Sequence, residues 1–292
     1  MKYLVIGGSG IIGSKFNDYL IERKIDFLST YFQNKPQISN MHFLDITKND
    51  QVIKTILTFK PDIIIHASAL TNIDLCENDK ELAFKINVKG FENVIDASKR
   101  IDAKIVFIST SHVFNKDKTE FSETDKTKPM NYYGETKKIS EQMLINSGLD
   151  YLILRTDQPY CWNETWQKTN SVLRVIESIS SLQEFREIID WKNCPTYVPN
   201  FVTICIKLIE KNETGIFHVV GKDFLSRYEW SLKICEIFEL DKKYLSSIPS
   251  KELKLPAIRP NVRLNCDKVF KAVQINLVGI EEGMLEMKKQ IT

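Results

Sequence analysis

The run Gly7-Gly8-Ser9-Gly10-Ile11-Ile12-Gly13 constrains this chain more than any other feature, because it directly follows the apolar stretch Tyr3 to Ile6 and opens an amphipathic one. Its glycines stand at the spacing G-x-x-G-x-x-G. In that setting one glycine permits the tight turn out of a strand, the next lets backbone approach a pyrophosphate, and the last allows helix to pack closely on strand. The helix N-terminus then offers amide groups to the anion. A merely structural turn would use the same residues. Placement between strand and helix nevertheless points to a bound dinucleotide, with Gly7, Ser9, Gly10, Ile11, Ile12 and Gly13 around its phosphates.

Further apolar, β-branched runs recur at Asp26 to Thr30, Asp62 to His66, Lys104 to Ser109 and Tyr151 to Arg155. Between them, the segments after Gly13, from Asn49 to Phe59, from Lys80 to Lys99 and from Tyr132 to Asn146 carry apolar residues at helical spacing. This alternation predicts an α/β fold, a Rossmann-type doubly wound parallel sheet with helices on both faces. The second half is less regular. Helices expected over Ser171 to Ser181, Phe201 to Glu210 and Arg227 to Phe238 are separated by loops bearing Pro195, Pro199, Pro249, Pro256 and Pro260, with a short strand near Gly215 to Gly221. Residues 1–157 therefore read as the dinucleotide-binding part, and 158–292 as mainly a smaller α/β substrate-binding lobe, with part of 195–225 recruited to the sheet. No low-complexity linker separates the two, so they should pack closely.

Composition enters by exclusion. With 43% hydrophobic and 27% charged residues the chain is a globular mixture, and 40 Lys+Arg against 38 Asp+Glu leaves a net charge of +2, too little for general attraction to a nucleic-acid backbone. No stretch approaches the roughly 20 apolar residues of a membrane span, and the N-terminal apolar run is too short for a signal peptide. A cytoplasmic protein is expected. Six scattered cysteines without C-x-x-C, and four histidines without H-x-x-H, predict reduced thiols and no metal site.

In a dinucleotide fold, a carboxylate ending the second strand would hold the adenosine ribose. Leu28-Ser29-Thr30-Tyr31-Phe32-Gln33-Asn34-Lys35 has none, which favours NADP(H) over NAD(H), with Tyr31 nearby and Lys35 as countercharge to a 2′-phosphate. A solvated loop lysine is the competing reading. Asp45 and Ile46 are placed at the adenine, where an acidic turn before a helix would look the same.

Asn131 to Lys137 contains Y-x-x-x-K, which puts Tyr133 and Lys137 on one helix face. A tyrosine near its ordinary pKa of about 10 is a poor acid or base at neutral pH, and a close ammonium favours its phenolate. The strand from Lys104 runs into Ser109, Thr110 and Ser111, hydroxyls at the strand end where open parallel sheets bind ligands. On these residues the chain resembles the extended short-chain dehydrogenase/reductases, and among them the dTDP-4-dehydrorhamnose reductase family. The glycine loop, His66 to Glu77, Ile86 to Gly90, Ser109 to Phe114 and Tyr133 to Lys137 carry the resemblance, with weaker matches at Cys194 to Thr196, Gly215 to Gly221, Ser226-Arg227 and Arg259-Pro260. The resemblance implies reduction, with NADPH or NADH, of a 4-keto group on a nucleotide-activated deoxysugar in carbohydrate biosynthesis. Thr110 would bond the substrate carbonyl, Tyr133 donate the proton, and Lys137 hold the nicotinamide ribose while lowering the tyrosine pKa. Ala67, Ser68, Ala69 and Thr71 would line the cofactor, and Ser111, His112 and Gln158 the sugar. Family members often form homodimers, which leaves a homodimer open here.

Three departures from the family pattern alter the sugar side: Ser111 stands where Asp is usual, His112 where an aromatic residue is, and Gln158 where a tryptophan commonly meets the sugar. A nucleotide-sugar 4,6-dehydratase would need an Asp-Glu pair after Thr110, and Ser111-His112 supplies none. A 4-epimerase with the same triad, and a non-catalytic NADP-binding regulatory subunit like that of methionine adenosyltransferase, remain as alternatives. Trp162, Trp166 and Trp191 are candidates to stack on a ligand, although large aromatics more often pack a core. Asn87 fits either an anchoring role near the site or local helix bonding.

Overall fold

The computed structural model describes residues 1–291 apart from 37 and 39. Its frame is a parallel sheet of β1 (Tyr3–Ile6), β2 (Phe27–Tyr31), β3 (Met41–Phe43), β4 (Ile63–His66), β5 (Lys104–Thr110), β6 (Tyr151–Thr156) and β7 (Gly215–His218). In space they run β7-β6-β5-β4-β1-β2-β3. The order reverses between β1 and β4, and at such a switch point the carboxyl ends of the strands open a crevice for ligands. β1 and β4 are buried at every residue, as strands covered on both faces must be. β3 escaped the sequence reading because its three residues, two of them exposed, carry no pattern.

Two apolar layers clamp the sheet. On one face, Phe16 and Leu20 of the helix Ile11–Glu22 share a core with Phe201 and Cys205 of the helix Val198–Glu210. On the other, Val52 and Ile56 of the helix Asn49–Phe59 meet Phe91 and Val94 of the helix Gly90–Lys99. Each such side chain contributes about 1.5–3 kcal/mol by leaving water. The segment Lys80–Lys99 is helical throughout but widens into a π-helical stretch at Lys85–Lys89, a form often found at functional sites, and Asn87 sits in it.

Residues 215–218 do join the sheet, as its edge strand beside β6. Elsewhere in the second half, the helices Ser171–Ser180 and Ile280–Lys289 pack against Arg227–Ile237, and the described residues add four two-stranded pairings, one of them joining Arg263–Leu264 to Glu120–Phe121 of the first half. The helix at Val198 starts three residues before the expected position because Pro199 lies inside its first turn, where a missing amide costs nothing. All six cysteines are free. Among the described residues no helix is long and apolar enough to cross a membrane, and no group of three or more His, Cys, Asp or Glu could hold a metal.

Candidate active site

The glycine loop has the geometry of a phosphate cradle. Gly7 adopts φ +86°, a conformation that side chains resist, and a Cβ there would lie 2.8 Å from the Ser68 nitrogen. A Cβ on Gly13 would come within 2.3 Å of the Gly7 carbonyl oxygen, so the helix Ile11–Glu22 can approach β1 only with glycine at this position. No side chain caps that helix, which leaves its first amides for an anion. A dinucleotide therefore fits here on backbone grounds, with Ala67 and Ser68 stacked directly over Gly7. Sequence reasoning missed Gln167, whose amide Nε2 reaches from the C-terminal half to the Ser9 carbonyl (3.1 Å) and the Ser14 hydroxyl (2.9 Å).

At the adenine end the observations are mixed. Lys35 is exposed beyond β2, free of any neighbouring carboxylate in the run 28–35. Asp45 spends Oδ1 on the Thr47 amide (2.9 Å) and hydroxyl (2.7 Å), the turn-forming use that competed with an adenine contact.

Tyr133 and Lys137 sit in the first two turns of the helix Tyr132–Ile145, both buried, against the end of β5. Asn131 caps this helix by accepting the Gly134 amide at 2.8 Å. That bond fixes its orientation, so Nδ2 faces outward and donates to His112 Nδ1 (2.9 Å) and to the Ile258 carbonyl (2.8 Å). A neutral His112 accepting at Nδ1 carries its proton on Nε2. Burial, reinforced by the Arg259 guanidinium, pushes His112 down to about 4, so it is neutral at physiological pH. Asn87 takes the anchoring role: it accepts the Leu70 amide (2.7 Å) and donates to the Thr136 hydroxyl (3.1 Å), tying the segment after β4 to the Tyr133 helix.

The electrostatics differ from the pattern expected of Y-x-x-x-K. Burial pushes the Tyr133 phenol above its ordinary range, and the influence pulling it down is a hydrogen bond with Thr110 rather than the Lys137 ammonium. The Lys137 amine is itself pushed down to about 7 by burial, against the pull of Glu141, and lies 3.9 Å from the centre of the Phe107 ring.

On the side expected to meet a sugar, Ser111 lies beside the carboxyl of Asp157, which follows β6, so the position expected to carry an acid is next to one delivered by the neighbouring strand. Burial raises Asp157 to about 6, against a 2.9 Å hydrogen bond from the Cys194 amide. Gln158 has φ +39° and binds Arg227 Nη1 at 3.0 Å instead of standing free. Arg227 is buried and also pairs with Glu187 at 3.2 Å. Of the three tryptophans, Trp162 donates to the Met287 carbonyl at 2.6 Å in the lobe interior, Trp166 lies beside Gln167, and Trp191 comes near the chemistry, its ring 6.4 Å from His112. Asp157, Asn131 and Gln167 went unread because each acts through a partner distant in sequence. Two of them had a local signal, Asp157 its place one residue past a parallel strand and Asn131 its place as the cap of the helix that follows.

The whole chain, residues 1–292, matches the family described as the RmlD substrate binding domain. It is similar to the dTDP-4-dehydrorhamnose reductase of Aggregatibacter actinomycetemcomitans, 28% identical over 256 residues, covering 85% of this chain and 82% of that protein. Methionine adenosyltransferase 2 subunit beta of Pongo abelii is 26% identical over 277 residues, covering 92% of this chain and 81% of that one. Among solved structures, the dTDP-4-dehydrorhamnose reductase of Bacillus anthracis in complex with NADP superimposes with a TM-score of 0.88 at 27% identity, covering 99% of each chain.

Proposed function

Because this chain belongs to the RmlD substrate binding domain family, we propose that it is an NAD(P)-dependent oxidoreductase reducing the 4-keto group of a nucleotide-activated deoxysugar, with NADP(H) preferred. The carrying observation is the placement of the Tyr133 phenol beside Thr110 at the carboxyl end of β5, with Lys137 one turn further along the same helix. The nicotinamide, when bound, supplies hydride to the carbonyl carbon. Thr110 polarises the carbonyl oxygen, and Tyr133, kept protonated by burial, gives its proton to the oxygen as negative charge develops. The neutral His112, with Nε2–H, adds a donor beside the tyrosine, and Lys137 holds the cofactor's ribose. Gly7, Ser9, Gly10, Ile11, Ile12 and Gly13 hold the phosphates, with Ala67, Ser68, Ala69 and Thr71 along the cofactor and Tyr31, Asp45 and Ile46 at its adenosine end. Ser111 and Gln158 face the sugar.

The test is NADPH oxidation with a panel of 4-keto nucleotide sugars. Tyr133→Phe should lower kcat by about 10²–10⁴-fold. A wild-type rate no greater than the variant's overturns the reading. Stoichiometric cofactor consumption separates reduction from 4-epimerisation. A second reading, a cofactor-binding regulatory subunit, is favoured by the similarity to methionine adenosyltransferase 2 subunit beta; under it NADPH binds but no sugar accelerates its oxidation.

A further inference from the structure

Three buried polar atoms beside the site have no hydrogen-bond partner: Trp191 Nε1, Asn193 Oδ1 and Arg227 Nε. Their residues are 9%, 2% and 3% exposed. They also share one place. Lys192 and Asn193 pair antiparallel with Ser226 and Leu225, so Arg227 lies across from Trp191, its amide bonded to the Trp191 carbonyl at 3.1 Å and its guanidinium 5.7 Å from the ring centre. Trp191 and Asn193 are two residues apart on extended chain and project from the same face. The Asn193 side chain lies beside the Asp157 carboxyl, and its Oδ1 is the acceptor left without a partner.

The group adjoins the reacting centre by two routes. The Trp191 ring is 6.4 Å from that of His112, which is 5.9 Å from Tyr133. Asp157 connects Asn193 to Ser111, the neighbour of Thr110. Charge narrows the ligand: each guanidinium around Trp191 already faces a carboxylate, Arg227 paired with Glu187 and attracted by Asp157, Arg174 sharing Glu187, and Arg259 paired with Asp74, so none is left over for a phosphate or carboxylate. What remains is two donors and one acceptor, a set that hydroxyl groups satisfy because each both gives and takes a hydrogen bond.

We propose that Trp191, Asn193 and Arg227 form the subsite that recognises a pair of hydroxyls on the pyranose ring of the substrate, and thereby select which sugar is admitted. This rests on the nucleotide-sugar reading above. A sugar deoxygenated at the contacted carbons leaves the three groups unpaired again, the strongest form of discrimination a buried polar site has.

Calorimetric titration of the full chain with dTDP, dTDP-glucose, UDP and UDP-glucose, in the presence of NADP⁺, tests it. Wild type should bind the glucose conjugate of its preferred nucleotide more tightly than the nucleotide alone. Trp191→Phe, which deletes the Nε1 donor, and Asn193→Ala should each cut that sugar-dependent gain about tenfold, the worth of one buried hydrogen bond, and leave the bare nucleotide's affinity unchanged. Thermal melts identify a variant that fails to fold. Beside the variants, unmodified protein titrated with 2-deoxy and 3-deoxy analogues of the same conjugate should show a comparable loss for at least one. Folded variants with the full wild-type gain, or deoxy analogues bound as tightly as the parent, overturn the subsite while NADPH oxidation with a 4-keto sugar still stands. Absence of both sugar-nucleotide binding and NADPH oxidation in wild type overturns the functional reading along with it.

Discussion

Replacing Arg155 with methionine should destabilise the protein by an amount set by the carboxylate it leaves behind. Arg155 closes a two-pronged pair with Glu141, Nε to Oε1 at 2.9 Å and Nη2 to Oε2 at 2.7 Å, and both side chains are 3% exposed. Ser109 completes the group with a 2.6 Å hydrogen bond to Oε1. Without the guanidinium, the Ser109 hydroxyl and the more distant Lys137 amine are left to support a buried charge, and breaking such a pair costs about 3–5 kcal/mol. At about 2–4 °C per kcal/mol for a chain of this size, Tm should fall by roughly 6–20 °C. The double variant Arg155→Met, Glu141→Leu removes the stranded charge as well, and most of the loss should return. Thermal melts of wild type, Arg155→Met, Glu141→Leu and the double variant decide it. A double variant as unstable as Arg155→Met would refute the electrostatic account and leave packing as the cause.

Other outcomes follow from single contacts. Gly13→Ala should weaken NADPH binding more than tenfold in a fluorescence titration, because its Cβ meets the Gly7 oxygen at 2.3 Å and the Gly8 Cα at 2.7 Å; unchanged affinity would show that the loop is no cradle. Gln167→Ala should raise the NADPH Kd a few-fold and leave Tm nearly unchanged, since Gln167 ties the C-terminal half to Ser9 and Ser14 by two hydrogen bonds. With the Lys137 pKa pushed down to about 7 in the fold and near its ordinary 10.5 when unfolded, the unfolded chain binds the extra proton between those values. Relative to Lys137→Met, cofactor-free wild type should therefore gain stability as pH rises from 7 toward 10 in melts at stepped pH, the difference separating Lys137 from the buried cysteine thiols, whose raised pKa values act in the opposite direction.

The parts of the molecule legible in the sequence are those whose cause is local. β1, the glycine loop and the helix after it follow from residues within a few positions of one another, and the strands at Ile63, Lys104 and Tyr151 follow from apolar runs that a sheet covered on both faces requires. Tyr133 and Lys137 were legible for the same reason, being one turn apart. Their electrostatics were not: the spacing places an ammonium near a phenol, but burial of both groups, a property of the whole fold, decides the direction of each shift. Asn131 shows the same limit. Its cap on the helix is local and readable, whereas its hold on His112, 19 residues away, sets the tautomer and exists only in three dimensions.

Ser111 carries this furthest. Read along the chain, it marks a lost acid, and the loss counts against the sugar chemistry of the family it resembles. Across the sheet, β5 and β6 run parallel with Thr110 beside Thr156, so the residues that follow each strand are neighbours at the same edge. Asp157 thereby returns a carboxyl to Ser111, in a setting where burial holds it near 6 instead of its ordinary acidic range. An acid reached from the adjacent strand leaves the hydroxyl of Ser111 on the β5 side and ties the carboxyl to Asn193 and the Cys194 amide in the C-terminal half. A change at 111 is therefore not a single substitution in effect. Restoring Asp there would set two buried carboxyls against each other, so one of them would have to take up a proton, and Ser111→Asp should show its full cost above pH 6 while Ser111→Asp with Asp157→Ser should recover most of it.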